Sequence, residues 1–467
     1  MPIDRRRFLL GAASASVALS ACSRTEDSDT DGVAMPAPVR AASPPAFEAP
    51  GPLDETVFPW SLTIGDPQPD GMIVGVRANA DVVTVVLMWF ENDTWVEAGR
   101  FPGRDTEGWA VTTLVTGLEA DRAYAVYAET ADGLRSRASQ FRTAPAAAAF
   151  RRVRIVATSC LGRDGSNDNQ LANLHHIAGV DPDCILLLGD SIYADGSFTT
   201  EDYRSSWDWQ MGRDGMAALF ASGAVVATWD DHEIANNWVL GDAGDPLQDS
   251  VSPEQLAVGT QAWRDAIPQG LGPGGSQVWR TLRYGPVELF VLDCRGERSV
   301  DNAMMSQLQL DWLVDALQAS DAPFKLILTS IHATDHTAFI GTVQEGDRWQ
   351  GHPEQRAQLV TAAAAVPGVL FVTGDMHYGA VQRLDAEGGP GADLYEVAAG
   401  PGGSRIFPVL DVAAVGGGEV PPQYETMLQT WTFSVLDFDP GTGEVHVQFI
   451  DDDNQLAAEQ TLVLDVS

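Results

Sequence analysis

The sequence predicts an α/β domain preceded by a small antiparallel β-sandwich. From Arg151 onward, short apolar runs alternate with amphipathic helical stretches, which is the pattern of an α/β sheet with helices against its faces. Before that point, short alternating segments are separated by turn residues such as Pro67 to Gly71, which favours antiparallel strands. We therefore expect a β-sandwich over 54–147, a hinge over 144–149 and an α/β domain over 151–467.

Individual elements follow from the same patterns. In the first segment, alternating runs at 72–76, 82–89 and 123–127 predict strands. In the α/β part, apolar runs predict strands at 153–160, 184–190, 224–230, 324–332 and 369–375, and helical spacing predicts helices at 169–179, 253–266, 306–319 and 353–365. Four later runs, at 394–397, 432–438, 445–450 and 460–464, have hairpin-like spacing and predict a mixed second sheet.

The first 22 residues predict export. Asp4 to Leu10 contains three consecutive arginines before two leucines, and the small, apolar stretch from Gly11 to Leu19 follows, which is typical of a twin-arginine signal. Leu19 to Cys22 matches a bacterial lipobox, so Cys22 would carry a lipid anchor. The alternative is an ordinary cleaved signal that contains a cysteine.

The predicted partners of this region are the twin-arginine export machinery and a membrane. Residues 23–53, rich in proline, alanine, serine and acidic residues, would form a flexible tether. We expect a periplasmic or cell-surface protein.

The charge of the chain argues against a nucleic-acid scaffold as a partner. The formal net charge is -37, with 65 acidic and 28 basic residues, whereas nucleic-acid binders present a basic surface. An anionic substrate would need local positive charge at its site, and a metal ion is one source.

Polar donor residues follow five of the predicted strands. In chain order these strand ends carry Ser159 and Cys160; Asp190 and Tyr193; the run Trp229 to Glu233; His332; and Asp375 and His377. Ligands of open α/β sheets gather at the carboxyl ends of strands. Burying several carboxylates together is costly unless a cation compensates them. The sequence therefore predicts a metal site at this edge.

The donor types indicate which metals fit. A cysteine thiolate and a tyrosine phenolate, as Cys160 and Tyr193 would supply, need a strong Lewis acid to stay ionised, which suits Fe3+. Asp231 and Asp375 are hard oxygen donors suited to Ca2+, Mn2+ or Mg2+. Asp190 lies between the two sets and is a candidate bridge. Cations a few ångströms apart favour in-line displacement at phosphorus.

The motifs resemble those of the alkaline phosphatase D family, a branch of the calcineurin-like metallophosphoesterases. They are Gly189-Asp190 with Tyr193, the run Trp229 to Glu233 followed by Asn236 and Asn237, and Gly374-Asp375 with His377; Ile64 to Gly71 and Leu292 to Arg295 add weaker matches. The resemblance implies a four-layer α/β/β/α metallophosphoesterase domain. It also implies a cluster of Fe3+ and Ca2+ that hydrolyses phosphomonoesters and phosphodiesters with a metal-activated oxygen nucleophile.

Carried onto this chain, the resemblance places the ferric ion on Cys160, Asp190 and Tyr193. Asp231, Asp375 and His377 would serve the other metals, and His232 would be the catalytic side chain. Five further residues are candidates for metal or substrate contacts: Asp230, Asn236, Asn237, Arg295 and His332.

Some alternatives stay open at this stage. Arg295 either clamps a phosphate oxygen or pairs with acidic residues, and Cys294, where a threonine would be expected, is either a core residue or a disulfide partner. The competing functions are a phospholipase or phosphodiesterase that acts on lipids or cell-wall polymers, and a non-catalytic surface binding protein.

Overall fold

The computed structural model describes residues 40, 42–106, 109–162, 169–241, 248–273, 275–298, 303–337, 345–408 and 420–466. The predicted export signal, Cys22 and the first part of the predicted tether lie outside the described residues. Within the described residues, no helix combines the length and the apolar character needed to cross a membrane.

The described residues form twenty-three strands and six α-helices. The strands are β1 Thr63–Gly65, β2 Gly71–Arg77, β3 Val83–Glu91, β4 Thr94–Pro102, β5 Arg104–Thr106, β6 Ala110–Thr116, β7 Ala123–Thr130, β8 Ser139–Arg142, β9 Val153–Thr158, β10 Cys184–Leu188, β11 Val225–Thr228, β12 Val239–Leu240, β13 Ser250–Val251, β14 Arg280–Tyr284, β15 Val287–Val291, β16 Phe324–Thr329, β17 Val369–Thr373, β18 Gly379–Arg383, β19 Tyr395–Ala399, β20 Tyr424–Leu428, β21 Thr432–Asp439, β22 Glu444–Asp451 and β23 Leu456–Val463. The helices are α1 Ile177–Val180, α2 Thr200–Met211, α3 Asp214–Ser222, α4 Pro253–Ala266, α5 Gln307–Ala319 and α6 Pro353–Ala364.

Two large mixed sheets form the body of the protein. One has ten strands in the order β23-β22-β21-β9-β10-β11-β1-β2-β6-β5, and the other has seven in the order β14-β15-β16-β17-β19-β18-β20. Strands β9, β10 and β11 are parallel neighbours in the first sheet, and β15, β16, β17 and β19 are parallel in the second. Because parallel neighbours end at the same edge, the loops that follow them converge.

Alternating residues of the central strands enter different hydrophobic clusters. Leu186 and Leu188 of β10 belong to a cluster that also contains residues of β15, β16 and β17 in the other sheet. Ile185 and Leu187 belong instead to a cluster with residues of α2, α3 and α4. Since successive side chains of a strand point to opposite faces, the fully buried run of β10 reflects contacts on both sides. The α/β prediction is confirmed at this level.

Local sequence explains where the helices begin. Ser252 accepts a hydrogen bond from the backbone N–H of Gln255 at the start of α4, and Ser306 does the same at α5. Serine at the N-cap and proline in the first turn satisfy or avoid donors that lack intrahelical partners. The predicted helix at 169–179 is different: Leu171 has a left-handed backbone, and a 3-10 helix at Ala172–His176 precedes the short α1.

The segment predicted as a β-sandwich contributes to two sheets. Strands β3, β4, β7 and β8 form a separate four-stranded sheet, whereas β1, β2, β5 and β6 belong to the ten-stranded sheet. The connection is the parallel pairing of β1 with β11, where Gly65 lies opposite Val225. One hydrophobic cluster joins the four-stranded sheet to β2 and β6.

The prediction that the four C-terminal strands form a second sheet is wrong for three of them. Strands β21, β22 and β23 extend the first sheet, because β21 pairs antiparallel with β9, and only β19 joins the second sheet, beside β17. Hairpin spacing fixes which strands pair with each other, but it does not fix the sheet edge to which the hairpin attaches.

The predicted flexible tether is also wrong over its last part. Phe47 packs against Trp95 and Tyr127, with ring centroids 5.4 and 6.0 Å apart, and its backbone N–H donates to the Gln140 side chain at 2.8 Å. Arg40 pairs with Asp183 at 3.0 Å. The Phe47 ring and the partly buried ion pair of Arg40 therefore hold this segment against the rest of the protein. The segment has no periodic pattern of apolar residues that would have predicted these contacts.

Candidate metal centre

The loops after four strands bring their donors to one place. Cys160 follows β9, Asp190 follows β10, Asp230 and Asp231 follow β11, and Asp375 follows β17 of the other sheet. The loops of β9 and β10 are joined by the backbone N–H of Cys160, which donates to the carbonyl of Gly189 at 3.3 Å. The two sheets meet here, because a Cβ added to Gly374 would lie 2.7 Å from the carbonyl oxygen of Leu188.

The backbone at these positions is unusual. Cys160, Asp190, Asp375 and His377 all have positive φ, at 54°, 54°, 66° and 52°. Such conformations cost non-glycine residues about 1–3 kcal/mol each and persist where the surroundings over-determine them. Gly189 has φ of +90°, and a Cβ there would lie 2.5 Å from the Cβ of Asp230, so the close approach of the two loops requires glycine.

Three overlapping groups of donors have the spacing of metal ligands. Within each group, one donor atom of every residue lies within 4.8 Å of the others: Cys160, Asp190 and His377; Asp190, Asp231 and His232; Asp230, Asp231 and Asp375. Asp190 joins the first group to the second, and Asp231 joins the second to the third. Because neighbouring groups share a carboxylate, they would be able to hold cations side by side.

Tyr193 completes the first group. Its hydroxyl lies 3.3 Å from Oδ2 of Asp190 and 3.0 Å from Nε2 of His377. The resemblance assigned His377 to the other metals, but the geometry places its ring nitrogen with Cys160, Asp190 and Tyr193. The other ring nitrogen of His377, Nδ1, lies 2.6 Å from the backbone carbonyl oxygen of Arg405. Because a carbonyl only accepts, Nδ1 carries the proton and Nε2 is available as a ligand.

Several of the clustered carboxylates lack the positive charge that their burial demands. Burial and neighbouring carboxylates raise the pKa of Asp375 well above its usual range, and burial raises the pKa of Asp230 to about 6 although Arg295 opposes the shift. Oδ1 of Asp190 and Oδ2 of Asp230 are buried and accept no hydrogen bond from the described residues. Cations at these oxygens would satisfy both the charge and the geometry, so the donor set fits metal ions.

The cysteine and tyrosine need the same compensation. Burial, with Asp190 as the next cause, raises the pKa of the Cys160 thiol and of the Tyr193 phenol well above their ordinary values. Without a cation both groups are therefore neutral at pH 7. A strong Lewis acid is required for them to act as anionic ligands.

His232 is held by a carboxylate that the sequence reasoning missed. Its Nδ1 lies 2.9 Å from both oxygens of Asp195, and its ring stacks on Tyr193 with centroids 3.9 Å apart. Burial opposes the charged imidazole, but Asp231, Asp190 and Asp195 outweigh it and raise the pKa of His232 well above its ordinary value. The Nδ1 contact leaves Nε2, 4.0 Å from Oδ2 of Asp231, facing the donor groups. Asp195 lies two residues after Tyr193, but no motif in the sequence marked it as a partner of His232.

Arg295 lies among the carboxylates and is fully buried. Its Nε donates to Asp230, its Nη1 and Nη2 donate to Asp347, and Nη2 lies 3.6 Å from Oδ1 of Asp231. Arg298 also donates to Asp347. Since substrate cannot reach a side chain with no exposed surface, ion pairing explains Arg295, and the alternative of a phosphate clamp is wrong.

Glu233, which was not a candidate, and the candidates Asn236 and Asn237 lie beside the cluster. Glu233 accepts hydrogen bonds from the backbone N–H groups of Asp190, Ser191 and Asp230 at 2.6–3.1 Å, so it ties the two loops together. The backbone N–H of Asn237 donates to Asp231 at 2.6 Å, while the Asn236 carbonyl accepts from the backbone of Asp249.

His332 and Cys294 contact other groups. Nδ1 of His332 lies 3.0 Å from Nε2 of Gln382, and His332 is in none of the three donor groups formed by the described residues. Burial lowers the pKa of His332. Cys294 is a buried free thiol 3.3 Å from the Thr329 hydroxyl, which makes it a core residue rather than a disulfide partner.

The family model of the PhoD-like phosphatases matches residues 155–415, a segment that contains every member of the three donor groups. The chain belongs to the PhoD-like phosphatase family. It is accordingly a phosphoric ester hydrolase, as the resemblance implied.

Relatives of this PhoD-like phosphatase agree with the assignment. Alkaline phosphatase D of Bacillus subtilis (strain 168) is 23% identical over 399 residues, which cover 72% of this chain and 67% of the relative. A solved structure of PhoD has a TM-score of 0.70 at 18% identity and covers 90% of each chain. A purple acid phosphatase from yellow lupin (Lupinus luteus) seeds has a TM-score of 0.61 at 14% identity, covering 87% of this chain and 74% of that one. The structural likenesses support a metallophosphoesterase-like α/β fold.

Proposed function

We propose that this protein is an exported, metal-dependent phosphoesterase that hydrolyses phosphomonoesters, phosphodiesters or both. The observation that carries the proposal is the chain of three donor groups linked through Asp190 and Asp231. Bound cations would neutralise the charge that develops on phosphorus and activate an oxygen nucleophile.

We assign Fe3+ to Cys160, Asp190 and Tyr193, and we add His377 to this set because of its distance to the Tyr193 hydroxyl. Asp230, Asp231 and Asp375 are oxygen donors that lie together, and they suit Ca2+, with Mn2+ or Mg2+ as alternatives. Asp190 would bridge the two sets.

The chain's own residues have separate tasks in the reaction. His232 would donate a proton from Nε2 to the leaving oxygen of the ester. Asp195 would accept a hydrogen bond from Nδ1–H and fix the orientation of the ring. Glu233 and Arg295 keep the two strand-end loops and their carboxylates in place through buried hydrogen bonds.

The layers of the fold and the export of the protein are also proposed. We propose a four-layer α/β/β/α domain preceded by a β-sandwich, a reading that the shared and separate hydrophobic clusters support. We further propose export by the twin-arginine route and a lipid anchor at Cys22, supported by the sequence of residues 1–22.

The test compares single substitutions of ligands with a surface control. Asp231→Ala and Asp375→Ala should abolish hydrolysis of a monoester and a diester and reduce bound metal. Asp81→Ala, at an exposed position, should change neither. A phospholipid assayed alongside these esters shows whether the enzyme acts on lipids. Full activity in both Asp231→Ala and Asp375→Ala would refute the proposal.

A further inference from the structure

A pocket of about 300 Å³ lies beside the metal centre. It lies between α2 and the loop after β10, and it is lined by Ile192, Tyr193, Ser205, Ser206, Trp209 and Gln210. This volume is at the lower end of the range found for pockets that hold small organic molecules. Among the described residues that line it there is no carboxylate, although the chain carries 65 acidic residues.

Tyr193 belongs both to the pocket and to the metal centre. Its hydroxyl faces Asp190 and His377, and one face of its ring covers the imidazole of His232. A group that enters the pocket is therefore separated from the donor atoms by one aromatic side chain. Tyr193 thus links the pocket to the metal centre.

Trp209 supplies an open aromatic surface in the pocket. It lies in the last turn of α2 and is 51% exposed, which is a large apolar area to leave in water. The guanidinium carbon of Arg213 lies 5.1 Å from the centre of its ring, and Arg213 is itself directed by the carbonyl of Leu161 and the side chain of Gln210. A fixed indole with a cation beside it suits stacking with a planar ring.

The polar groups of the pocket favour an uncharged occupant. The amide nitrogen of Gln210 donates to the backbone carbonyl of Leu161 at 2.8 Å, and the Ser206 hydroxyl donates to the carbonyl of Asp202 at 3.1 Å. These side chains keep their positions without a ligand and offer no formal charge to pair with one.

We propose that this pocket binds the planar, uncharged ring of the substrate's alcohol part, stacked on Trp209, and that it makes the enzyme prefer ring-bearing phosphate esters. Trp209 is thus a specificity-determining residue. The inference rests on the proposed function, which supplies the phosphate site next to the pocket. An aryl alcohol and a nucleoside share the recognised ring chemistry.

The experiment compares Trp209→Ala and Trp209→Phe with the unaltered protein on three monoesters: phenyl phosphate, a nucleoside 5′-phosphate and glycerol phosphate. Loss of the stacking partner should raise KM by about 5- to 100-fold for whichever ring-bearing ester the pocket accepts. The value of kcat should stay unchanged. Trp209→Phe should recover most of the affinity. Glycerol phosphate should respond to neither substitution.

A matched control and a binding measurement separate the pocket from the chemistry. Leu308→Ala removes another exposed apolar side chain, 65% exposed on α5, and should change no kinetic constant. Calorimetry with phenylphosphonate and methylphosphonate, which the enzyme cannot hydrolyse, reports ring recognition alone. Comparison of phenyl phosphate with the nucleoside 5′-phosphate shows whether the pocket accepts an aryl alcohol or a nucleoside.

The outcomes decide between the two proposals. A Trp209-dependent preference for phenylphosphonate without hydrolysis of any ester would support the pocket and overturn the function. Equal KM changes for all three esters, or none, would overturn the pocket while leaving the function in place.

Discussion

The buried ion pairs of Arg295 lead to a prediction about stability with and without metal. Arg295 donates hydrogen bonds to Asp230 and Asp347 with no part of its side chain in solvent. Replacing Arg295 with methionine removes the charge but keeps most of the apolar length. Each charged hydrogen bond contributes about 1.5–3 kcal/mol, so one bond to each of the two carboxylates gives about 3–6 kcal/mol. This agrees with the roughly 3–5 kcal/mol measured when one partner of a buried pair is removed.

The loss should depend on bound cations. In chelated protein, Arg295→Met leaves Asp230 with the Ser330 hydroxyl, at 3.0 Å, as its remaining side-chain donor among the described residues, so the full cost is expected. In metal-loaded protein the cations offset part of it, so the free energy of unfolding should fall less. By the same cycle, the variant should bind metal more tightly than the unaltered protein does.

Urea unfolding of chelated and loaded protein measures these quantities. Arg100→Met is the matched control, because Arg100 pairs with Glu97 and Glu129 while its side chain stays 46% exposed; exposed pairs contribute at most about 1 kcal/mol. If chelated Arg295→Met loses no more stability than Arg100→Met, the reasoning about buried compensation is wrong.

Three further predictions concern other parts of the molecule. Asp195→Asn should lower the pKa of His232, shift the alkaline limb of the pH–rate profile to lower pH and reduce kcat by up to about 100-fold; an unchanged limb would remove Asp195 from the account. Burial lowers the pKa of His336 well below its ordinary value. The neutral side chain therefore contributes fully to the free energy of unfolding above pH of about 6.5, the pKa in the unfolded chain. Below that pH the free energy of unfolding falls, by up to about 1.4 kcal/mol per pH unit. His336→Gln should therefore flatten the decline in unfolding free energy between pH 6.5 and 5, and an equally steep decline would contradict this. Phe47→Ala should cost about 1–3 kcal/mol, less than a full core truncation, and make residues 42–50 sensitive to protease; unchanged protection would argue against docking.

The sequence was sufficient to locate the donors because their positions follow from strand ends. Neighbouring parallel strands finish at one edge, so Cys160, Asp190 and Asp231 had to approach one another once β9, β10 and β11 were identified. Tyr193 and His377 came from the same reading, because they lie a few residues after the ends of β10 and β17. The structure changed only the side of the cluster on which His377 lies.

The partners of these donors could not be predicted in the same way. Asp195 reaches His232 through the path of a loop, and Arg295 reaches Asp230 with a long side chain from the loop after β15. Neither contact leaves a periodic pattern in the sequence. The docking of Phe47 depends on a gap between Trp95 and Tyr127, which composition cannot show.

The most direct test of the central claim is the hydrolysis rate of one phosphate ester before chelation, after chelation and after metal is restored, with elemental analysis at each stage. We predict iron together with calcium in the active protein, loss of activity when both are removed, and recovery when both are returned. Full activity in protein that contains neither iron nor a divalent cation would contradict the account.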